Sequence, residues 1–382
     1  MENRPFNLKG KIHINEDYII GRVIKNANVD DKKMYIQVID IEHKECFEEG
    51  YLGYIFDGWT PKNIEGLNYG VEVFKVDTLI DNDVIELTND FVHVLYRDDS
   101  KDNFILVTNQ CNSNCIMCPD SNQVRNNRYI PDIARLKKQV RCIPDDTKSI
   151  CITGGEPGIL KYNLIELLRE CKECLPETEF LLLSNGRVFS DKNFANEFAK
   201  NIPQFIRVAI PIYSSIDEIH NNITRAENSL QEALSGIKNL MKNNVDVEIR
   251  IVLLKANQQY LEELAEYISK NLTNVKIVNI MALEMSGNAY INKNDVWIDY
   301  NSVKKILYKS VMKMICSGIN VNLYNFPLCQ IDKRLFSLAQ KSISDYKVRF
   351  KDECDECKLK QYCGGFFFST INMDEIKIKP IK

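Results

Sequence analysis

The spacing of hydrophobic residues changes near residue 100. Before this point, short apolar runs keep a period of two and are separated by turn residues. The runs are Tyr18–Ile20, Met34–Ile39, Val71–Phe74, Val84–Leu87 and Phe91–Tyr96. This pattern is typical of strands that bury one face. We therefore expect a small β-rich domain over residues 1–100, followed by a polar linker at 97–103.

From Phe104 onward, short apolar runs alternate with segments of helical period. The strand candidates are Phe104–Thr108, Ser149–Thr153, Glu179–Asn185, Arg207–Tyr213, Val247–Leu254 and Lys276–Ala282. Helix candidates lie between them, near 131–141, 161–175, 191–200, 229–243 and 259–271. Six consecutive βα units predict an α/β core domain over residues 101–299, with a parallel sheet that is open or partly closed as a barrel. Reactive groups in such sheets follow the carboxyl ends of the strands.

Residues 300–382 form a third predicted domain, with one helix, a short strand at Val321–Tyr324 and a group of cysteines. The net charge is −4, and no basic block is present that would follow a phosphate backbone, so we expect no nucleic-acid partner. The chain shows no apolar run of the length of a signal peptide or a membrane span, which predicts a cytoplasmic protein without a membrane partner.

The cysteine content points to metal. A reducing cytoplasm keeps thiols from pairing, and 13 cysteines could not all pair within one chain in any case. Cys111, Cys115 and Cys118 follow the first core strand with the spacing C-x3-C-x2-C. Three thiolates hold three irons of a cubane cluster and leave the fourth iron open to a ligand. Zinc is the alternative, but structural zinc sites usually take four ligands in paired C-x2-C units.

A glycine-rich turn follows the second core strand. Ser149–Thr153 leads directly into Gly154, Gly155, Glu156 and Pro157. Two glycines allow the backbone to approach a ligand closely, and Glu156 supplies an acceptor for an ammonium group. An ordinary glycine-rich turn is the alternative interpretation of this segment.

The C-x3-C-x2-C loop after strand one, together with Gly-Gly-Glu-Pro after strand two, resembles the radical S-adenosylmethionine (SAM) superfamily. The resemblance implies a partial (β/α)6 barrel and a 4Fe–4S cluster held by the three cysteines. In that superfamily the open iron binds SAM, and its reductive cleavage gives a 5′-deoxyadenosyl radical. An electron donor such as flavodoxin or ferredoxin is implied as well.

The same resemblance implies contacts with SAM. Gly154, Gly155 and Glu156 would meet its amino end, and Ser184 and Asn185, at the end of strand three, its ribose or carboxylate. Arg225 corresponds loosely to an arginine that related enzymes place after strand four, and a solvated helix-end residue is the alternative. Met117 stands where many members carry an aromatic residue, and it would pack on the adenine.

A second cysteine group lies in the third domain. Cys329, Cys354, Cys357 and Cys363 have the spacing C-x24-C-x2-C-x5-C. Four thiolates suit either zinc or a fully ligated iron–sulfur cluster, and spacing does not separate the two metals. This extension resembles the twitch and SPASM groups of radical SAM enzymes, which implies one auxiliary 4Fe–4S cluster.

Short strings narrow the resemblance further. Residues 279–289, 323–329, 342–347 and 363–367 are similar to the radical SAM maturases of the His-Xaa-Ser peptide system. The resemblance implies a ribosomally made precursor peptide as substrate and a paired second radical SAM protein as partner. Two alternatives stay open: a small-molecule substrate or a partner enzyme to activate, and a zinc-stabilised interaction protein without catalysis.

The remaining candidates have bland interpretations. Cys171 and Cys174 lie on the apolar face of a helix, and Cys151 and Cys316 also have the pattern of core residues. His220 is expected in a surface loop. Asp217 and Glu284 follow strand ends and are candidates for an acid or base, but a solvated or structural role is the stronger interpretation of each.

Overall fold

The computed structural model describes residues 5–120, 131–341, 347–373 and 376–382. It is an α/β structure with a parallel sheet, a separate β-rich N-terminal region and a cysteine-rich C-terminal part, as the sequence predicted. None of the helices in these ranges has the length and apolar character needed to cross a membrane.

The N-terminal region is one mixed sheet of eight strands. They are β1 (Asn7–Lys9), β2 (Lys11–His13), β3 (Ile19–Lys25), β4 (Tyr35–Asp40), β5 (Gly53–Asp57), β6 (Tyr69–Val71), β7 (Val84–Leu87) and β8 (Phe91–Tyr96). Their spatial order is β1-β8-β7-β3-β4-β5-β6-β2. The periodicity predicted β3, β4, β7 and β8 but not β5, whose Tyr54, Ile55 and Phe56 are all buried and so do not alternate.

The prediction of a strand at Val71–Phe74 is wrong beyond Val71. Strand β6 ends at Val71, because Glu72 and Lys75 both take left-handed backbone angles, with φ of 53° and 61°. That conformation turns the chain and ends the extended run.

The core is a second sheet of eight strands, all parallel and in chain order. They are β9 (Phe104–Leu106), β10 (Ser149–Thr153), β11 (Glu179–Leu183), β12 (Ile206–Pro211), β13 (Asp246–Val252), β14 (Ile277–Met281), β15 (Val321–Tyr324) and β16 (Ala339–Gln340). The last two strands follow the boundary proposed at residue 299 and continue the same sheet.

The helices of the described residues begin after β9. They are α1 (Ile133–Cys142), α2 (Tyr162–Cys174), α3 (Lys192–Asn201), α4 (Asp217–Thr224), α5 (Ser229–Lys242), α6 (Leu261–Asn271), α7 (Asn288–Ile291), α8 (Lys293–Val296) and α9 (Tyr300–Cys316). Their apolar stripes cover one face of the sheet, where alternate strand residues such as Val208, Ile249 and Ile280 are fully buried.

Two short features complete the fold. Strands β17 (Val348–Arg349) and β18 (Phe366–Phe367) form an antiparallel pair in the cysteine-rich tail. The N-terminal sheet packs on α1, where Arg135 pairs with the buried Glu86 of β7 and Arg22 Nε donates to the Cys142 carbonyl over 3.0 Å. The carboxyl ends of the core strands lead into the loops that carry the predicted site residues.

Candidate functional site

Cys111, Cys115 and Cys118 lie near one aromatic side chain. They lie in the loop after β9, and Tyr213 lies just beyond the carboxyl end of β12. Burial raises the pKa of the Tyr213 hydroxyl well above its usual range, and the thiolate charges of all three cysteines raise it further. All three thiols therefore lie near enough to Tyr213 for their charges to act on its hydroxyl.

The glycine pair holds this loop from one side. The amide of Gly155 donates to the Thr108 carbonyl over 2.8 Å, and the amide of Glu156 donates to the Gln110 carbonyl over 2.7 Å. A Cβ on Gly154 or Gly155 would lie 2.2 Å from one of those two carbonyl oxygens. The glycines therefore serve a close approach between two segments of this chain, one of which carries Cys111.

Two asparagines hold the loop from another side. Asn288 Nδ2 donates to the Cys115 carbonyl over 3.0 Å and to Asn114 Oδ1 over 3.1 Å, and its backbone amide donates to the Cys118 carbonyl over 2.8 Å. Asn292 Nδ2 donates to the Ile116 carbonyl over 2.9 Å. Both residues follow β14 and lie at least 170 positions after the loop residues that they bind.

The end of α4 provides the third support. The amides of Asn114 and Ile116 donate to the carbonyls of Thr224 and Ile223, each over 2.9 Å. The cysteine loop is therefore bonded through its backbone to three separate segments, which fixes the positions from which the thiols project.

The residues predicted to meet SAM at the ends of strands two and three lie together. Glu156 is buried, and burial raises the pKa of its carboxyl group above the usual range. Its carboxylate accepts bonds from the Gly158 amide at 2.7 Å, the Ser184 hydroxyl at 2.7 Å and the Asn185 amide at 2.6 Å. The Asn185 side chain donates to Asn112 Oδ1, inside the cysteine loop, over 2.6 Å.

Met117 and Arg225 have different surroundings. Met117 is buried in an apolar cluster with Tyr213, Ile223 and Leu283. Arg225 is exposed at the end of α4, with φ of 50°, and donates to Asn292 Oδ1 over 2.7 Å. Arg225 thus contacts one of the asparagines that hold the cysteine loop, and its predicted contact with SAM stays a prediction.

The surface position expected for His220 is wrong. His220 lies inside α4 with 2% of its surface exposed, and burial lowers the pKa of its ring to about 3. Its Nδ1 accepts the backbone amide of Tyr213 at 3.2 Å. The sequence contained a signal for this, because His220 lies four residues after Ile216 and three before Ile223, a spacing that places it on an apolar helix face.

Three further expectations have structural outcomes. Cys171 is buried on the apolar face of α2 as predicted, but Cys316, predicted to be a core residue, is exposed at the end of α9. Asp217 is exposed and accepts the Gln231 side chain at 3.0 Å, and Glu284 pairs with Lys347 at 3.2 Å.

The four tail cysteines also come together. Cys329, Cys354, Cys357 and Cys363 line one cavity. Burial raises the pKa of the Cys329 thiol, and the charges of the other three raise it further. None of the four is in a disulfide.

Backbone amides point at these sulfurs. Cys363 Sγ accepts the amides of Leu328 at 3.3 Å and Gly365 at 3.4 Å, and Cys357 Sγ accepts the amide of Ile381 at 3.4 Å. A hydrogen bond from the backbone of Lys379 to Cys329 lowers the pKa of that thiol and so opposes burial. Amide donors of this kind stabilise thiolate and so fit a metal-bound state.

A group of three or more His, Cys, Asp or Glu side chains arranged for one metal ion is not found in the described ranges. The ligands of an iron–sulfur cubane bind separate irons and are farther apart than those of one ion. The two cysteine sets fit clusters by donor type and number: three thiols in one loop near Tyr213 and four thiols that line one cavity in the tail.

Residues 105–268 match the family model described as the radical SAM superfamily. This segment begins in β9 and includes the cysteine loop, the glycine pair and Tyr213. This segment therefore matches a radical SAM domain, and the resemblance to that superfamily seen in the sequence is confirmed.

Two curated proteins are similar to part of the chain. The uncharacterized protein MJ0907 of Methanocaldococcus jannaschii is 29% identical over 178 residues, which is 45% of this chain and 59% of that protein. GTP 3′,8-cyclase of Campylobacter lari is 25% identical over 187 residues, 46% of this chain and 54% of that protein. The chain thus matches little more than half the length of these relatives.

Two solved structures are similar to part of the chain. One is Streptococcus suis SuiB bound to the precursor peptide SuiA, with a TM-score of 0.47 and 16% identity over 58% of this chain and 48% of that chain. Another is anSMEcpe with bound AdoMet, with a TM-score of 0.45 and 18% identity over 58% of this chain and 60% of that chain.

Proposed function

We propose that this protein is an enzyme that binds SAM at a 4Fe–4S cluster held by Cys111, Cys115 and Cys118 and cleaves it reductively. The observation that carries the proposal is the loop that presents Cys111, Cys115 and Cys118 directly after β9 and is bonded to three other segments. The match of residues 105–268 to the radical SAM superfamily supports it. When bound, the cluster and SAM supply a 5′-deoxyadenosyl radical, which takes a hydrogen atom from the substrate.

The protein's own groups bind and orient SAM. We assign its amino end to Gly154, Gly155 and Glu156. The Glu156 carboxylate already accepts three hydrogen bonds, and a carboxylate has about four acceptor positions, which leaves about one for an ammonium group. Ser184 and Asn185 would meet the ribose or carboxylate, Met117 the adenine, and Arg225 would complete the pocket.

We propose an auxiliary 4Fe–4S cluster on Cys329, Cys354, Cys357 and Cys363. Its support is the shared cavity and the amide bonds to the sulfurs. Hydrogen bonds to cluster sulfurs adjust reduction potential. Such a cluster would accept the electron released when a new bond forms in the substrate, or bind the substrate directly.

The proposed substrate is a ribosomally made peptide of the His-Xaa-Ser type, with a flavodoxin or ferredoxin as electron donor and a paired second radical SAM protein. This finer assignment rests on the short sequence strings. The string at 279–289 includes Asn288, which holds the cysteine loop, and the string at 342–347 lies mostly outside the described residues. The cytoplasmic location and the division into three domains remain proposals.

The alternative is a small-molecule substrate. GTP 3′,8-cyclase, which is 25% identical over 46% of this chain, has a nucleotide in its name. Either class of substrate would react at the same cysteine loop, and the two differ in the molecule that binds beside it.

The direct test is anaerobic reconstitution with iron and sulfide, followed by dithionite and SAM, with 5′-deoxyadenosine measured by mass spectrometry. Two cubane clusters predict roughly eight irons per chain. Cys118→Ala should abolish 5′-deoxyadenosine formation and lower the count to roughly four. Cys46→Ala, which changes a half-buried cysteine of the N-terminal region, is the matched control. Zinc without labile sulfide would instead support the non-catalytic alternative.

The substrate class has its own test. A deuterated candidate precursor peptide with His-Xaa-Ser repeats should transfer deuterium into 5′-deoxyadenosine, because the radical abstracts hydrogen from its substrate. The same assay with deuterated GTP tests the small-molecule alternative. Deuterium transfer from GTP and none from the peptide would overturn the peptide assignment while leaving the SAM chemistry intact.

A further inference from the structure

The face of the core sheet opposite the helices carries charged residues in the middle of its strands. On β12 and β13, alternate residues such as Val208, Ile210 and Ile249 are fully buried against the helices. Arg207 and the pair Glu248 and Arg250 occupy the intervening positions, and successive strand residues point to opposite faces. The inner face of the sheet is therefore charged at its centre.

These three residues form one ionic group. Arg250 Nε lies 2.7 Å from Glu248 Oε1, and Arg207 Nη1 lies 3.5 Å from Glu248 Oε2. The Glu248 side chain is 3% exposed, Arg250 is 16% exposed and Arg207 is 38% exposed. Two guanidinium groups face one carboxylate, so these three residues have a net charge of +1. Each arginine uses one nitrogen in its contact with Glu248.

The second arginine leaves a net positive charge beside a largely buried carboxylate, and that charge attracts an anion. A partly buried charge with an incomplete partner costs free energy, and a stabilising ion pair would require only one of the two arginines. The guanidinium group also offers a planar fork of donors that matches a carboxylate in bidentate geometry. Arg207 is the more exposed of the two and so the more accessible to an incoming anion.

Neutral polar groups lie beside this ionic group. Asn279, the neighbour of Arg250 in the strand register, is 5% exposed, and its Oδ1 has no hydrogen-bond partner among the described residues. Tyr324, at the end of β15, is close enough for the charges of Glu248, Arg250 and Arg207 all to act on its hydroxyl. On the other flank Cys151 feels Arg250 and Glu248 as well, and burial keeps that thiol protonated.

This group lies below the cysteine loop. Arg250 pairs in register with Pro211, and Tyr213 lies two residues further along the same chain. Two extended residues span roughly 7 Å along the strand direction. A ligand bound at Arg250 would therefore extend upward toward the three cysteines.

We propose that Arg207, Glu248, Arg250, Asn279 and Tyr324 form a binding site for a carboxylate group of the substrate, inside the sheet and beneath the cysteine loop. The two arginines bind the carboxylate, and Glu248 orients them. The Tyr324 hydroxyl donates to the carboxylate, and Asn279 Oδ1 accepts a hydrogen bond from a donor elsewhere on the substrate. This inference rests on the proposed function, because it assigns a substrate class to the same site. A peptide would supply the group through Asp, Glu or its C-terminus.

The experiment measures binding of glutarate and of uncharged glutaramide to the reconstituted protein by calorimetry. Glutarate should bind and glutaramide should not. Arg250→Gln and Arg207→Gln should each weaken glutarate binding by about tenfold or more, as expected for loss of a charged hydrogen bond. Glu248→Gln should tighten it, because the net charge rises from +1 to +2. Arg169→Gln, which changes an exposed arginine of α2, is the matched control.

Three outcomes would overturn the inference. One is the absence of glutarate binding at millimolar concentration. Another is weaker glutarate binding in Glu248→Gln, which would indicate a purely structural group. The third is a loss of SAM binding in Arg250→Gln with glutarate binding retained, which would assign the arginine to the carboxylate of the cofactor. Formation of 5′-deoxyadenosine by the unsubstituted protein is measured separately, so its absence would count against the proposed function and not against this site.

Discussion

The backbone amide of Tyr213 donates a hydrogen bond of 3.2 Å to Nδ1 of His220, and the two rings pack with centroids 5.4 Å apart. His220 lies on α4, whose end also accepts amides of the cysteine loop. The charges of the three cysteines act on the Tyr213 hydroxyl. The neutral ring of His220 thus links the aromatic side chain at the centre of the site to the helix that supports the loop.

This relationship predicts a pH-dependent stability. The pKa of His220 falls from 6.5 to about 3 on folding, so between these values the unfolded chain binds a proton that the folded chain does not. Stability contributed by the neutral ring is complete above pH 6.5 and is lost as the pH falls. The loss from pH 7.5 to pH 5.5 should be about 1.4 kcal/mol, measured by urea unfolding.

His220→Asn isolates this effect, because Asn Oδ1 accepts the same amide without titrating. The unfolding free energy of this variant should change less between the two pH values, by about 1.4 kcal/mol. Equal pH dependence in both proteins would contradict the burial of a neutral ring at position 220.

The support of the cysteine loop by Asn288 predicts a loss of cluster. Asn288→Ala removes the side-chain bonds to Asn114 and to the Cys115 carbonyl, which are buried contacts worth about 1–3 kcal/mol. We expect iron content at the first site to fall and 5′-deoxyadenosine formation to fall with it. Iron analysis and single-turnover assays measure the two quantities.

Asn271→Ala is the control for that substitution. Asn271 is an exposed residue at the end of α6 that bonds only within its own helix, to the Tyr267 carbonyl. Iron content should be unchanged in this variant. A full complement of iron in Asn288→Ala would show that the other two supports suffice to hold the loop.

The glycine pair predicts a steric effect. In Gly155→Ala the new Cβ would lie 2.2 Å from the Gln110 carbonyl oxygen, so the backbone before Cys111 must move. We expect destabilisation and loss of SAM binding. Gly318→Ala is the comparison, because that glycine has φ of 81° but open space around it, so its cost should be about 1–2 kcal/mol. Thermal unfolding and calorimetry measure both, and an equally mild effect at Gly155 would argue against a close approach there.

The amide bond from Ile381 to Cys357 predicts a redox effect. Ile381→Pro removes the N–H donor and should shift the auxiliary cluster to a more negative reduction potential, because amide bonds stabilise the reduced, more negative cluster. Ile381→Ala keeps the donor and removes only the side chain. A redox titration followed by electron paramagnetic resonance compares them, and identical potentials would show that this bond does not reach the cluster.

The sequence alone determined the features that depend on neighbouring residues. The period of two and the helical period located β10 and the helices α1 to α3 to within a few residues, because side-chain direction alternates locally. The spacing of Cys111, Cys115 and Cys118, directly after a strand, indicated one loop with three thiols. The pair Gly154 and Gly155 indicated a close approach, although the partner is the chain's own backbone.

The tertiary structure alone decided the contacts between distant segments. Asn288 meets Asn114 across 174 positions, and Arg250 lies beside Asn279 only because β13 and β14 pair in one particular register. No local period encodes that register, since a shift of one residue would exchange the two faces of the strand. The burial of His220, the proximity of Tyr213 to the three cysteines and the charged inner face all follow from tertiary packing. The free energy of the whole fold selects that packing.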